Sequence, residues 1–100
     1  MTLQQLRYVI TVAQKGTISE AAKELFISQP SLTNAIRELE KEMNITIFNR
    51  TNKGVAVSTE GEQFLGYARQ VLEQANLLES AYKTSVSSAF LFPLNIMHSL

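Results

Sequence analysis

Ala21-Ala22-Lys23-Glu24-Leu25-Phe26-Ile27-Ser28-Gln29-Pro30-Ser31-Leu32-Thr33-Asn34-Ala35-Ile36-Arg37-Glu38-Leu39-Glu40 is the stretch that decides the fold. Ser28 suits a helix N-cap, because its hydroxyl can accept one of the amide hydrogens that a first turn leaves without a partner. Pro30 fits the turn that follows, where the N–H it lacks has no intrahelical acceptor to lose. From there Leu32, Ala35, Ile36, Leu39 and Met43 fall on one stripe of a 3.6-residue helix, and Asn44 suits a left-handed cap at its end. Gln29, Ser31, Thr33, Asn34, Arg37 and Glu38 lie largely outside the stripe. Upstream, Ser19 is placed to cap a short helix over Glu20 to Leu25, with Ala21, Ala22 and Leu25 facing inward.

Two short helices joined by a tight turn, the second with small polar side chains on its outer face, predict a helix-turn-helix whose second helix fits the major groove of DNA. Gln, Asn, Thr, Ser and Arg can read base edges there, and phosphates accept bonds from hydroxyls and helix N-termini. A polar helix face on its own is more often simply solvated, so the rest of the chain has to decide.

Working outward, Thr2 and Gln5 have the spacing of a capping box ahead of Leu3, Leu6, Val9, Ile10 and Ala13, which predicts a first helix over Leu3 to Lys15 closed by Gly16. Downstream, Ile45 to Arg50 and Val55 to Ser58 are short β-prone runs joined by Thr51-Asn52-Lys53-Gly54, the pattern of a small hairpin. Ser58 or Thr59 then opens a last helix, and Glu62 is spaced for a box with Thr59. Along that helix Phe64, Ala68, Val71, Ala75, Leu78 and Tyr82 recur at alternating four and three residues, a coiled-coil seam, while Leu65 and Leu72 widen one flank. The apolar stretch from Ser85 to Leu100, interrupted by Pro93, has no clear period. The fold class is therefore mainly α: a winged helix-turn-helix over residues 1–58, a linker or dimerisation helix over 59–84, and a tail over 85–100.

Taken together these residues resemble the DNA-binding part of LysR-type transcriptional regulators over about the first 85 positions. The resemblance rests on the 21–40 stretch, on Leu6 and Tyr8 in the first helix, on Ile47-Phe48-Asn49-Arg50 and on Ser58-Thr59-Glu60-Gly61. It implies that Gln29, Pro30, Ser31, Thr33 and Asn34 meet bases and nearby phosphates, that Arg37 faces the backbone, and that Arg50 and Lys53 belong to a wing on the flanking backbone. Thr17, Ser19 and Ser28 would offer hydroxyls to phosphates, although each also reads as a plain cap. Asn34 stands where many members carry a basic or longer polar residue, which predicts a different base preference. Glu38 weakens the usual positive face, and Asn44 replaces a common family glycine. Members usually continue into a large effector-binding domain, which 100 residues leave no room for.

The charge balance agrees only weakly. The formal net charge is zero, yet residues 1–58 hold Arg7, Lys15, Lys23, Arg37, Lys41, Arg50 and Lys53 against five glutamates, and the remainder is mildly acidic. Catalysis finds no residue set. There is no cysteine, His98 is the single histidine, and Glu38, Glu40 and Glu42 read as a solvated helix face, so no metal or cofactor is expected. No secretory signal or membrane span is visible, which makes a bacterial cytoplasmic protein the expectation. Two functions fit: a homodimer reading an interrupted inverted repeat, or an interaction module whose last helix pairs with a full-length relative as a heterodimer. Neither includes a small-molecule effector site.

Overall fold

The structure, a computed structural model, describes residues 1–83. Its elements run α1 (Leu3–Lys15), α2 (Ile18–Leu25), α3 (Gln29–Met43), β1 (Phe48–Thr51), β2 (Gly54–Val57) and α4 (Thr59–Lys83). The expected apolar stretch 85–100 lies outside the described residues.

Local chemistry sets each helix boundary. At α1 the Thr2 hydroxyl accepts from the Gln5 amide and the Gln5 side-chain oxygen accepts from the Thr2 amide, each at 3.0 Å, so two of the orphan donors of a first turn are satisfied. The same Gln5 side chain donates to the Ala35 carbonyl at 3.3 Å, tying α1 to α3. Gly16 ends α1 in the left-handed region, with φ of 81°.

The cap of α2 is Thr17 and not Ser19. Thr17 is still extended, and its hydroxyl accepts from the Glu20 amide at 3.1 Å. The bend at Gly16 is so tight that the helix begins at Ile18, which leaves Ser19 already inside its first turn. At the other end Phe26 takes the left-handed cap, with φ of 57°, and the residue is 93% exposed. Nothing in a phenylalanine side chain favours that backbone. The position was not visible in the sequence. Ser28 opens α3 as expected, accepting from the Ser31 amide at 3.2 Å, and Asn44 closes it with φ of 56°.

β1 and β2 pair antiparallel, Phe48 opposite Val57 and Thr51 opposite Gly54, so the hairpin loop shrinks to Asn52-Lys53. The β-prone residues 45–47 stay outside the strand and are tied to α3 instead: Ile45 donates to the Glu40 carbonyl and Ile47 to the Glu40 carboxylate. The hairpin is seated on the helices by the bond from the Val55 amide to the Gly16 carbonyl, at 3.0 Å. That approach needs glycine at 54, since a Cβ there would overlap the Gly16 carbonyl and the Thr17 side chain.

Ser58 supplies the cap of α4, accepting from the Gly61 amide at 2.8 Å while its hydroxyl donates to the Thr46 carbonyl. Thr59 is the first helical residue, so the box expected between Thr59 and Glu62 does not arise.

The core gathers Val9, Val12, Ala21, Ala22, Leu32, Ile36, Leu39, Ile47 and Leu65, with Phe48, Val55, Val57 and Phe64 packed around it. Leu32, Leu39 and Ile47 have no exposed surface, which joins the stripe of α3 to the chain that leaves it. The chain falls into two compact units, Met1–Arg69 and a second that starts at Gln70. The first therefore reaches beyond residue 58, because Gly61, Leu65 and Ala68 of α4 are buried. Within the second, the described residues continue α4 and expose Val71, Leu77, Leu78 and Tyr82. Among the described residues no helix is long and apolar enough to cross a membrane.

Candidate nucleic-acid interface

The stripe that buries Leu32, Ile36 and Leu39 turns the opposite side of α3 outward. Gln29, Pro30, Ser31, Asn34 and Arg37 are exposed and Thr33 is half-buried. Gln29, Pro30, Thr33, Asn34 and Arg37 line one open groove along the start of the helix. Four of these five carry polar or charged groups able to donate to or accept from a base edge or phosphate. Ser31 differs: its hydroxyl is engaged by that of Ser28 at 2.9 Å within the cap.

A second, smaller cleft of about 70 Å³ lies between α3 and the hairpin. Ile18, Ile36, Phe48 and Val55 form its apolar part, and Thr33, Arg37, Glu40 and Arg50 its polar part. Thr33 and Arg37 thus belong to both surfaces, and Arg50, paired with Val55 in the hairpin register, brings a guanidinium to the same place. Lys53 sits in the hairpin loop and lines neither cleft; its backbone amide donates to the Thr51 hydroxyl at 3.2 Å.

The charges on this side are not neutralised internally. Among the described residues neither Arg37, Arg50 nor Lys53 pairs with a carboxylate, whereas Lys15 and Lys23 reach Glu24 and Glu20 at 3.5 Å each. Unpaired cations on a surface that also offers amides and hydroxyls suit a polyanion, which gains counterion release from every phosphate contacted. Thr17 and Ser28 use their hydroxyl oxygens as acceptors for helix-opening amides, and Ser19 is half-buried in the first turn of α2.

Glu40 is the residue that the sequence reading misplaced. Grouped with Glu38 and Glu42 as a solvated face, it is half-buried, and its Oε2 accepts from the amides of Ile47 at 2.7 Å and Phe48 at 3.2 Å. The available signal was its place one turn before a left-handed cap, next to an extended segment whose amides need acceptors.

Of the six residues expected to form a seam on α4, Ala68 is buried at 2% exposure and Phe64 packs against the core of the first unit. Val71, Leu78 and Tyr82 are exposed at 41%, 63% and 74%, and Ala75 is half-buried.

Comparison with known proteins agrees with this geometry. Residues 3–62 match the family described as bacterial regulatory helix-turn-helix protein, lysR family. The HTH-type transcriptional regulator ClcR of Pseudomonas putida is 44% identical over 72 residues, which is 72% of this chain and 24% of that protein. Two solved DNA complexes superpose closely. The CbnR DNA-binding domain with DNA gives a TM-score of 0.79 at 32% identity, covering 86% of this chain and 99% of that one. The BenM DNA-binding domain with its catB site 1 DNA gives 0.80 at 33% identity, covering 87% and 98%. The chain spans about a quarter of the length of the curated relatives it matches. With its helix-turn-helix, its hairpin wing and this match over residues 3–62, the chain belongs to the LysR family of bacterial regulatory helix-turn-helix proteins.

Proposed function

We propose that the chain is the DNA-binding and dimerisation portion of a transcription regulator that reads double-stranded DNA sequence-specifically in the bacterial cytoplasm. The observation that carries this reading is that Gln29, Pro30, Thr33, Asn34 and Arg37 line one open groove, flanked by the unpaired Arg50 of the wing. α3 enters the major groove. Gln29 and Asn34 each present the paired donor and acceptor that adenine N6 and N7 complement, and Pro30, Ser31 and Thr33 complete the base-facing turn. Arg37, Arg50 and Lys53 neutralise phosphates and set register, and hydroxyls near the starts of α2 and α3 add uncharged hydrogen bonds to the DNA backbone. The activity is binding rather than catalysis, and the resemblance to two domains solved on DNA supports it.

Dimerisation follows from the exposed Val71, Leu78 and Tyr82, whose burial against a second copy would place two recognition helices on an interrupted inverted repeat. Selection of bound fragments from genomic DNA by the purified chain tests both parts. A recovered motif with two-fold symmetry is the expected result, and recovery of fragments without a common motif would refute sequence-specific reading.

A further inference from the structure

Three bonds converge on one residue at the junction of recognition helix and wing. The backbone carbonyl of Glu40 accepts from the Ile45 amide at 3.1 Å, and its carboxylate accepts from the amides of Ile47 and Phe48. The next polar contacts come from the other side: Ser58 donates its amide to the Ile47 carbonyl at 2.8 Å and its hydroxyl to the Thr46 carbonyl. Residues 45–48 are therefore gripped between α3 and the start of α4, outside any sheet ladder until Phe48 pairs with Val57. Ile47 is fully buried, so amides left without acceptors there would meet little water. A carboxylate is the strongest acceptor a side chain offers to two adjacent amides, because both bonds are charge-assisted.

Glu40 also lines the cleft that Arg37 shares with Arg50. We infer that Glu40 is a positioning residue: by holding the amides of Ile47 and Phe48 to α3, it fixes where the wing stands relative to the recognition helix, and so lets Arg50 reach phosphate while α3 lies in the groove. The part of this inference that concerns DNA rests on the proposed reading of the wing as a phosphate contact. Base reading by Gln29 and Asn34, in the first two turns of α3, does not depend on it.

Spin labels on the exposed positions Lys41 and Asn52 measure the separation of α3 and the wing tip directly, without DNA. Glu40→Ala should broaden that distance distribution, and Glu40→Gln, which keeps an oxygen acceptor, should narrow it again. Glu40→Asp retracts the acceptor while keeping its charge; it carries the same expectation as Glu40→Ala and decides the matter where the alanine variant fails to fold. On DNA, Glu40→Ala should lower the slope of log affinity against log salt by about one unit, as Arg50→Ala does, and the double variant should fall no further. The ranking of single-base operator variants should stay as in the parent, which a general loss of folding would not predict. An unchanged label distance in both Glu40→Ala and Glu40→Asp overturns the inference. If Arg50→Ala itself leaves the salt slope unaltered, the phosphate reading of the wing fails instead, and the label distances alone decide the role of Glu40.

Discussion

A Cβ on Gly61 would overlap the carbonyl oxygen of Ile47 and stand 3.1 Å from the carbonyl carbon. The opening turn of α4 thus packs directly on the backbone that leads into the wing. Gly61→Ala must move one of the two, at a cost of about 1–3 kcal/mol or more, as other insertions into packed interiors do. Gly66, on the same helix, has open space around it, and there alanine should stabilise by up to about 1 kcal/mol through helix propensity. Urea titration of the two variants should shift their midpoints in opposite directions; parallel shifts would contradict the packing at Gly61.

The two hydroxyls near the start of α2 should separate in the same way. Thr17→Ala removes the acceptor of the Glu20 amide and should destabilise by about 1 kcal/mol, whereas Ser19→Ala removes no cap. Thermal melting read by circular dichroism checks this, and an equal loss for both would restore Ser19 as a cap residue.

Gln29 and Asn34 stand five residues apart on α3, about 500° of rotation at roughly 100° per residue, so in the proposed complex they would face different base pairs. Gln29→Ala and Asn34→Ala should each lose about 1–3 kcal/mol on the preferred site and relax selectivity at different positions, with non-specific binding nearly constant. Affinities across a panel of single-base operator variants provide the check. If both variants keep the parent ranking, specificity comes from DNA shape or from Thr33 and Arg37.

Wing cations should behave otherwise. Lys53→Ala is expected to weaken binding to all sequences alike and to reduce the salt slope by about one unit, since a loop lysine at phosphate carries no base information. A changed motif at constant salt slope would make Lys53 a base reader.

Val71 and Leu78 are exposed on α4, and a charge at either site would be costly in an apolar interface between helices. Val71→Glu and Leu78→Glu should therefore give monomers by light scattering, with weaker DNA binding as a consequence. Retention of the dimer mass by both variants would exclude this face of α4 as the interface.

Much of the architecture was legible because periodicity and cap chemistry are local properties. The stripe of Leu32, Ile36 and Leu39, the Thr2 to Gln5 box and the caps at Gly16, Ser28 and Asn44 need no information beyond a few neighbouring residues. What was missed depends on tertiary placement. Thr17 displaced Ser19 because the Gly16 bend is tighter than a composition rule can tell, and Phe26 took a left-handed cap against its own preference because α2 and α3 meet there. Glu40 looked like Glu38 and Glu42 until Ile47 and Phe48 folded back onto it. On α4 the heptad spacing alone could not apportion apolar positions between the domain and a second copy; Ala68 is buried within the domain, while Leu78 is exposed.

The hairpin has only four residues in each strand, half of them exposed to solvent, and an isolated two-stranded ribbon of that size is marginal in water. Its persistence is borrowed from the Val55 bond to Gly16 and from the amides of Ile47 and Phe48 held at Glu40. Sub-global opening should accordingly begin here, with the wing amides exchanging with solvent deuterium well before those of α1 and α3, at a free energy below that of complete unfolding. If the wing meets flanking DNA as proposed, the edge that does so is then the first part of the native state to loosen, and bound DNA should slow its exchange most.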